Sequence, residues 1–597
     1  MDLKELPFTI ADLRRLYLER AITVEEVIQE ALRRAGQEEL HPHVWIRLLT
    51  SEEVAKYVET LDFDRIHEFP LFGIPFAIKD NIDLDGVPTT CACPDFSFTP
   101  SRSAKVVELL IAAGAIPIGK TNMDQFATGL VGVRSPYGAC QSVFDPRYVS
   151  GGSSSGSGVA VAAGMVAFSL GTDTAGSGRV PAAFNNIVGL KPSRGIFSNT
   201  GLYPACRSLD CISVFAGSCA DAETVLRLAA VTDEEDPYSR PLKNMEIYKP
   251  GATDKPLRFG IPSGEYLRFF GDEEAANLYA HAVDRMEKLG HTCVEIDFEP
   301  FAKSAVLLYA GPWVAERRAA LGDFFLRKAD AMDPTVRGIV ARADGVSAVE
   351  AFEGVYALQA LAAAAQRQWQ SMDFLLLPTT GTTYTIEQVQ AEPVKLNSNL
   401  GYYTNFVNLL DLAAVAVPAG FRKSPGLPFG VTLMGPALTD SALLSLADQF
   451  HRSFGGNIGI TSAEISYQPR PAKSQPVPET RISVAVVGAH LSGQPLNHQL
   501  TSRGGKLVRT TKTASCYRLY ALAHTTPAKP GLRRMDEAGS SLPGAGIEVE
   551  IWSLSVRDFG SFTAEVAAPM AIGTLEMEDG SWVKGFVCEP LALESAE

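Results

Sequence analysis

The sequence predicts an α/β protein with a large N-terminal domain and a small C-terminal one. Three observations support this. Over residues 220–300, strand-like apolar runs (Leu257–Pro262, His291–Phe298) alternate with a helical pattern (Glu273–Leu289), as expected of a sheet layered with helices. A segment rich in Pro and charge, SYQPRPAKSQPVPETR, comes soon after Ala463 and reads as an interdomain linker. Beyond it, short strand-like runs with little helix signal suit one small α/β or mainly β domain. The expected division is residues 1–465, a linker over 466–480, and a second domain over 481–597.

Taken in order, residues 8–36 read as two short amphipathic helices, with Thr9 and Asp12, then Thr23 and Glu26, spaced for capping boxes. Phe72–Ile78 is an apolar run that reads as a buried strand ending in Lys79. Most lysines at such an end reach out to water. Full burial would instead lower the amine's pKa by up to ~3–5 units and make it a base near neutral pH. Ser103–Ala113 reads as a helix closed by Gly114, and AIPIG as the next strand. Gly114, Gly119, Lys120 and Thr121 match the spacing of a phosphate-binding loop, but the intervening Ala-Ile-Pro-Ile is strand-like, so no nucleotide site is expected. Gln125–Gly132 is a loop of small residues. After the linker, RISVAVVGAHLSGQPLNHQL opens with a strand, and Tyr517–Leu522, Glu548–Leu554 and Trp582–Cys588 are further strands.

Composition excludes several function classes. The chain is 46% hydrophobic and 20% charged, ordinary for a globular protein, and its net charge of −15 argues against nonspecific nucleic-acid binding. Nine scattered cysteines, with only Cys91 and Cys93 close together, predict neither a disulfide framework nor a metal site, and no cofactor is expected. The N-terminus carries charge throughout, and the longest apolar stretch, Val159–Leu170, is too short to span a bilayer. These features predict a soluble, cytoplasmic protein.

The chemistry concentrates in Ser150–Pro181, SGGSSSGSGVAVAAGMVAFSLGTDTAGSGRVP. A Gly/Ser run alone is usually a flexible linker. Here an apolar run continues from it with no polar spacer, and a second Gly/Ser loop stands at Gly171–Gly178. Glycines bring backbone N–H groups close to an anion, and serines supply hydroxyls. Asp173 and Arg179 flank the second loop and read as a structural ion pair. No histidine occurs between His67 and His281, so a Ser-His-Asp arrangement finds no local support.

This stretch resembles the amidase signature family, whose members use a Ser–cis-Ser–Lys triad. The resemblance implies that Ser177 is the nucleophile, Ser153 the bridging serine 24 residues before it, and Lys79 the base a further 74 residues upstream. It also implies a mixed twisted sheet covered by helices. Backbone N–H groups of Thr174, Ala175, Gly176 and Ser177 would hold the developing oxyanion. Gly129, in the small-residue loop, is a candidate substrate contact, and a plain turn is the competing reading.

A second stretch, LLYAGPWVAERRAAL, resembles allophanate hydrolases. Pro312 fits the first turn of a helix, with Tyr309 just before it and Arg317 on its second turn. In the resembled family a Tyr and an Arg eight residues apart recognise substrate, a spacing that selects Arg317 over Arg318. The segment after the linker is similar to the C-terminal domain of that family, a small α/β domain with a gamma-glutamyl-cyclotransferase-like fold. The activity implied by this resemblance is hydrolysis of allophanate to ammonia and carbon dioxide. The C-terminal domain would then speed decarboxylation of N-carboxycarbamate, with His490 as the proton-transfer residue and His498 as the alternative. The competing role for that domain is assembly, as a homodimer or with a separate urea carboxylase. The competing activity is another amidase of the same signature, such as the A subunit of a glutamine-dependent amidotransferase.

Overall fold

The central strands in the first part of the chain are buried on both faces, and this places them inside a layered core. The computed structural model describes residues 3–242, 256–468, 481–522, 530–535 and 546–593. The chain divides into two units, Met1–Ser474 and Gln475–Glu597. Of the expected linker, residues 469–480 lie outside the described residues.

The first unit is organised on one mixed sheet of eleven strands. In chain order these are β1 (Trp45–Leu48), β2 (Ile74–Lys79), β3 (Ala115–Thr121), β4 (Phe168–Asp173), β5 (Val188–Lys191), β6 (Cys211–Ala216), β7 (Arg258–Pro262), β8 (Thr292–Ile296), β9 (Phe374–Pro378), β10 (Leu412–Phe421) and β11 (Pro428–Pro436). Their spatial order is β1-β3-β2-β4-β6-β5-β10-β11-β9-β7-β8. Two parallel blocks, β3-β2-β4 and β8-β7-β9, are joined by antiparallel pairs, the longest being β10 with β11. Every residue of β2, β3, β4, β5, β6 and β9 is buried, so helices and loops cover both faces.

Helix boundaries follow their caps. Thr23 and Glu26 close a reciprocal capping box before Val24–Ala35, and the Thr9 side chain accepts the Asp12 amide before Ile10–Leu18. The helix Lys105–Ala112 stops just before Gly114, whose φ of +97° no side-chain-bearing residue takes easily. Lys120 lies in β3 and is spent on a buried ion pair with Asp80 at 3.5 Å, as the strand-like context of that G-x-x-x-x-G-K-T spacing requires.

The second unit holds a five-stranded sheet, built from β12 (Arg481–Val486), β13 (Lys506–Lys512), β16 (Glu548–Ser555), β17 (Met570–Glu576) and β18 (Trp582–Cys588). A two-stranded ribbon pairs β14 (Tyr517–Ala521) with β15 (Pro530–Arg534). The sheet order is β13-β16-β12-β18-β17, with only β12 and β18 parallel. A helix, Val556–Thr563, comes after β16, and its Phe562 joins Trp552 and Phe586 in the core.

Candidate active site

β3, β2 and β4 run parallel and end side by side, and the polar cluster sits at those carboxyl ends. Lys79 is the last residue of β2 and is wholly buried. Its Nζ donates to Ser153 Oγ and to Thr172 Oγ1, both at 2.7 Å. Burial lowers its pKa to about 7, against the opposing pull of Asp124, Asp210 and Asp173. Near neutral pH the amine therefore spends much of its time uncharged, with a lone pair next to the Ser153 hydroxyl.

The Gly/Ser run is structured throughout. All of Ser150–Gly158 is buried, the Gly152–Ser153 peptide is cis, and Ser155–Ala162 is a helix. Ser177, only 3% exposed, donates its Oγ proton to the Gly129 carbonyl at 3.4 Å. Among the described residues no hydrogen bond joins it to Ser153. Lys79 and Ser153 are thus in direct contact, and Ser177 faces the loop that carries Gly129.

Two buried carboxylates shape the loops. Asp173 accepts the Gly176 and Gly178 amides, each at 3.0 Å, and pairs with Arg179 at 2.8 Å, both side chains being fully buried. The ion pair read from the sequence is therefore the brace of the Ser177 loop. Asp124 accepts the amides of Val131, Gly132 and Arg134 at 3.0–3.1 Å and so holds the loop after Gly129. A Cβ on Gly129 would come within 2.5 Å of that carboxylate, which is why the position takes no side chain.

The set of oxyanion donors needs one correction. The Gly176 amide is committed to Asp173, so it is not free for a ligand. The amides of Thr174, Ala175 and Ser177 have no acceptor among the described residues. Thr174 is fixed by Asp210, whose Oδ1 accepts its hydroxyl at 2.5 Å while Oδ2 accepts the Ala205 and Cys206 amides. Burial raises the Asp210 carboxyl to about 6.

Arg317 is 2% exposed and reaches Thr128 Oγ1 at 3.1 Å and Tyr309 Oη at 3.4 Å. Its guanidinium carbon lies 5.2 Å from the centre of the Tyr309 ring, and its Nε has no partner. Arg318 turns away, over Phe325. Tyr309 differs from expectation in one respect. It belongs to the last turn of a separate helix, Glu299–Ala310, and Gly311 and Pro312 break the chain before Trp313–Lys328 begins. Pro312 is the cap of that second helix, so the eight-residue spacing folds around a corner and turns the two side chains toward each other.

In the second unit, His490 Nε2 is 2.9 Å from Gln499 Oε1, and its ring stacks on Phe586 at 5.0 Å. It lines a cavity of about 110 Å³ with Gln499, Phe562 and Met570. His498 is exposed, and its Nδ1 lies 2.8 Å from the Pro495 carbonyl. The two histidines are thus in different settings, and only His490 faces the cavity.

Sequence reasoning missed Thr172, Asp124, Asp210 and Thr128. Thr172 stands within the same TDTAGS motif as Ser177, and the β2–β4 register places it beside Lys79. That register supplies the signal, since Ile78 lies opposite Leu170 and the end of β4 therefore runs just past Lys79.

Comparison with known proteins places the chain in a family. A family model described as Amidase matches residues 26–444, and one described as Allophanate hydrolase C-terminal domain matches residues 482–597. The chain is 45% identical to a urea amidolyase of Saccharomyces cerevisiae over 558 residues, covering 92% of this chain and 30% of that protein. It is 32% identical to the A subunit of the glutamyl-tRNA(Gln) amidotransferase of Streptococcus pneumoniae, covering 75% of this chain and 96% of that one. The solved structure of Kluyveromyces lactis allophanate hydrolase superposes with a TM-score of 0.72 at 40% identity, covering 99% of this chain and 97% of that one. The chain thus spans about a third of the length of the urea amidolyases and nearly all of the hydrolase.

Proposed function

Since this chain belongs to the amidase family and carries an allophanate hydrolase C-terminal domain, we propose that it hydrolyses allophanate, urea-1-carboxylate, through a Ser177 acyl-enzyme. The observation that carries this reading is the buried Lys79–Ser153 hydrogen bond beneath the Ser177 loop. Neutral Lys79 takes the Ser153 proton as Ser153 takes that of Ser177, and Ser177 Oγ bonds to the terminal amide carbon. The carbonyl oxygen becomes an oxyanion facing the amides of Thr174, Ala175 and Ser177. The relay then returns a proton to the leaving nitrogen, the C–N bond breaks, and ammonia departs. Water repeats the sequence and releases N-carboxycarbamate, restoring Ser177. Arg317 grips the substrate carboxylate through two N–H groups, with Tyr309 and Gly129 completing the pocket.

Residues 1–465 form the hydrolytic domain, 466–480 the linker, and 481–597 the domain that assists decarboxylation, with His490 moving the proton. The cavity at His490 supports that role over His498. A homodimer fits an unpartnered helix face: on Ala348–Gln368, Val349, Phe352 and Tyr356 are 61–67% exposed. The protein works in the cytoplasm on substrate made by a urea-carboxylating enzyme. Among the described residues no helix is long and apolar enough to cross a membrane. The amidotransferase reading rests on a match to 75% of this chain, against 99% for the hydrolase.

The test is ammonia and carbon dioxide released per allophanate consumed. The intact protein should consume allophanate, Ser177→Ala should not, and His490→Ala should consume it with delayed carbon dioxide. Cleavage of simple amides with no action on allophanate would overturn the substrate assignment and leave the triad standing.

A further inference from the structure

A cavity of about 510 Å³ lies against the site and takes no part in the chemistry above. It shares Tyr309 with the site and adjoins the Ser177 loop through Asn405. Tyr309 lines it and also receives Arg317 Nη2. Asn405 lines it too, and the adjacent Thr404 presses so closely on Gly176 that a Cβ there would meet its Oγ1 at 2.5 Å. The Asn405 side-chain oxygen is buried without a partner.

Two arginines on the cavity wall have no ion-pair partner among the described residues. Arg268 and Arg342 both line it and are both exposed, and neither has a carboxylate within 4.0 Å among the described residues. Lys303 and Glu299 also line it, but they pair with each other at 2.8 Å. The wall therefore carries two arginines without an ion-pair partner, with Glu265 and Asp297 acting on the neighbouring Tyr266, in a chain whose net charge is −15. Arg268 is held in place, its guanidinium carbon 5.3 Å from the centre of the Tyr402 ring. Unpaired arginines flanking a concave wall concentrate field lines and raise the local density of anions, against the repulsion of an acidic surface.

We propose that this cavity is a vestibule that draws small carboxylates to the Tyr309–Arg317 pair, with Arg268 and Arg342 as its specificity-determining residues. The proposal rests on the allophanate reading, because only an anionic substrate gains from such a wall.

The test compares wild type with Arg268→Gln/Arg342→Gln and with Arg268→Lys/Arg342→Lys, measuring allophanate hydrolysis across ionic strength. The glutamine pair should raise KM on the order of threefold at low salt, the size expected of removing two solvent-screened unit charges, with kcat unchanged. Its kcat/KM should lose most of its salt dependence, while the lysine pair, which keeps the charge, should behave as wild type. Inhibition by biuret, the neutral amide analogue, should be the same in all three. A wild-type salt slope and KM in the glutamine pair, with hydrolysis intact, would overturn the vestibule alone. Failure of the wild type to act on allophanate would overturn the functional reading and the vestibule with it.

Discussion

Replacing Lys79 with Met separates the cost of burying a base from everything else the side chain does. Met keeps most of the volume and removes the ionisable group. In the unfolded chain the amine has its ordinary pKa of 10.5, and in the fold burial lowers it to about 7. Between these values the unfolded chain binds a proton that the folded chain does not, so folding grows more favourable as pH rises. The penalty is absent above about pH 10.5 and complete below about pH 7. At 1.36 kcal/mol per unit it amounts to about 5 kcal/mol at pH 6 and about 2 kcal/mol at pH 9. Lys79→Met also deletes the hydrogen bonds to Ser153 and Thr172, but that loss is nearly independent of pH and cancels in the comparison. Urea unfolding of both proteins at pH 6 and pH 9 measures the double difference directly. The variant's advantage should shrink by about 3 kcal/mol on going to pH 9, while its activity is lost at both. A difference that stays constant with pH would mean that Lys79 remains charged in the fold and is not the base.

Other outcomes rest on the same geometry. The kcat/KM profile should rise with pH on an acid limb centred near pH 7, because neutral Lys79 is the active form; a limb below pH 5 would point to a different base. Arg317→Lys should raise KM for allophanate at least tenfold with a smaller change in kcat, since an ammonium cannot span Thr128, Tyr309 and a carboxylate together; steady-state kinetics decide it. Arg179→Met should cost about 3–5 kcal/mol by stranding the buried Asp173 carboxylate, read as a lower unfolding midpoint, and a loss below 1 kcal/mol would contradict the bracing role.

How much of this was legible in the sequence depends on whether a feature is local. Lys79 at the end of an apolar run, the capping box at Thr23 and the helix stop at Gly114 are written in a few neighbouring residues. The central pair β10–β11 is not, because its residues are buried on both faces and show no alternation. Thr172 as a partner of Lys79 depends on a strand register that joins residues 93 positions apart. Asp124 and Asp210 are single acids with no charged residue directly beside them, and only the fold reveals which amides each one accepts. Gly176 shows the opposite error. Its neighbours suggested a free donor, and a carboxylate three residues back had already claimed it.

The division of labour at the carboxyl ends of β3, β2 and β4 bears on how such a site can change over time. Lys79 is tuned by the sheet interior, and the Ser177 loop is held by Asp173 and Arg179, whereas Arg317 and Tyr309 arrive on a helical corner outside both. On the proposed mechanism, replacing that corner would alter which molecule is recognised without touching the strand end that lowers the pKa of Lys79. If the proposed roles hold, such a scaffold acquires new substrates by exchanging one pair of helices, and the proposed proton relay goes on working beneath it.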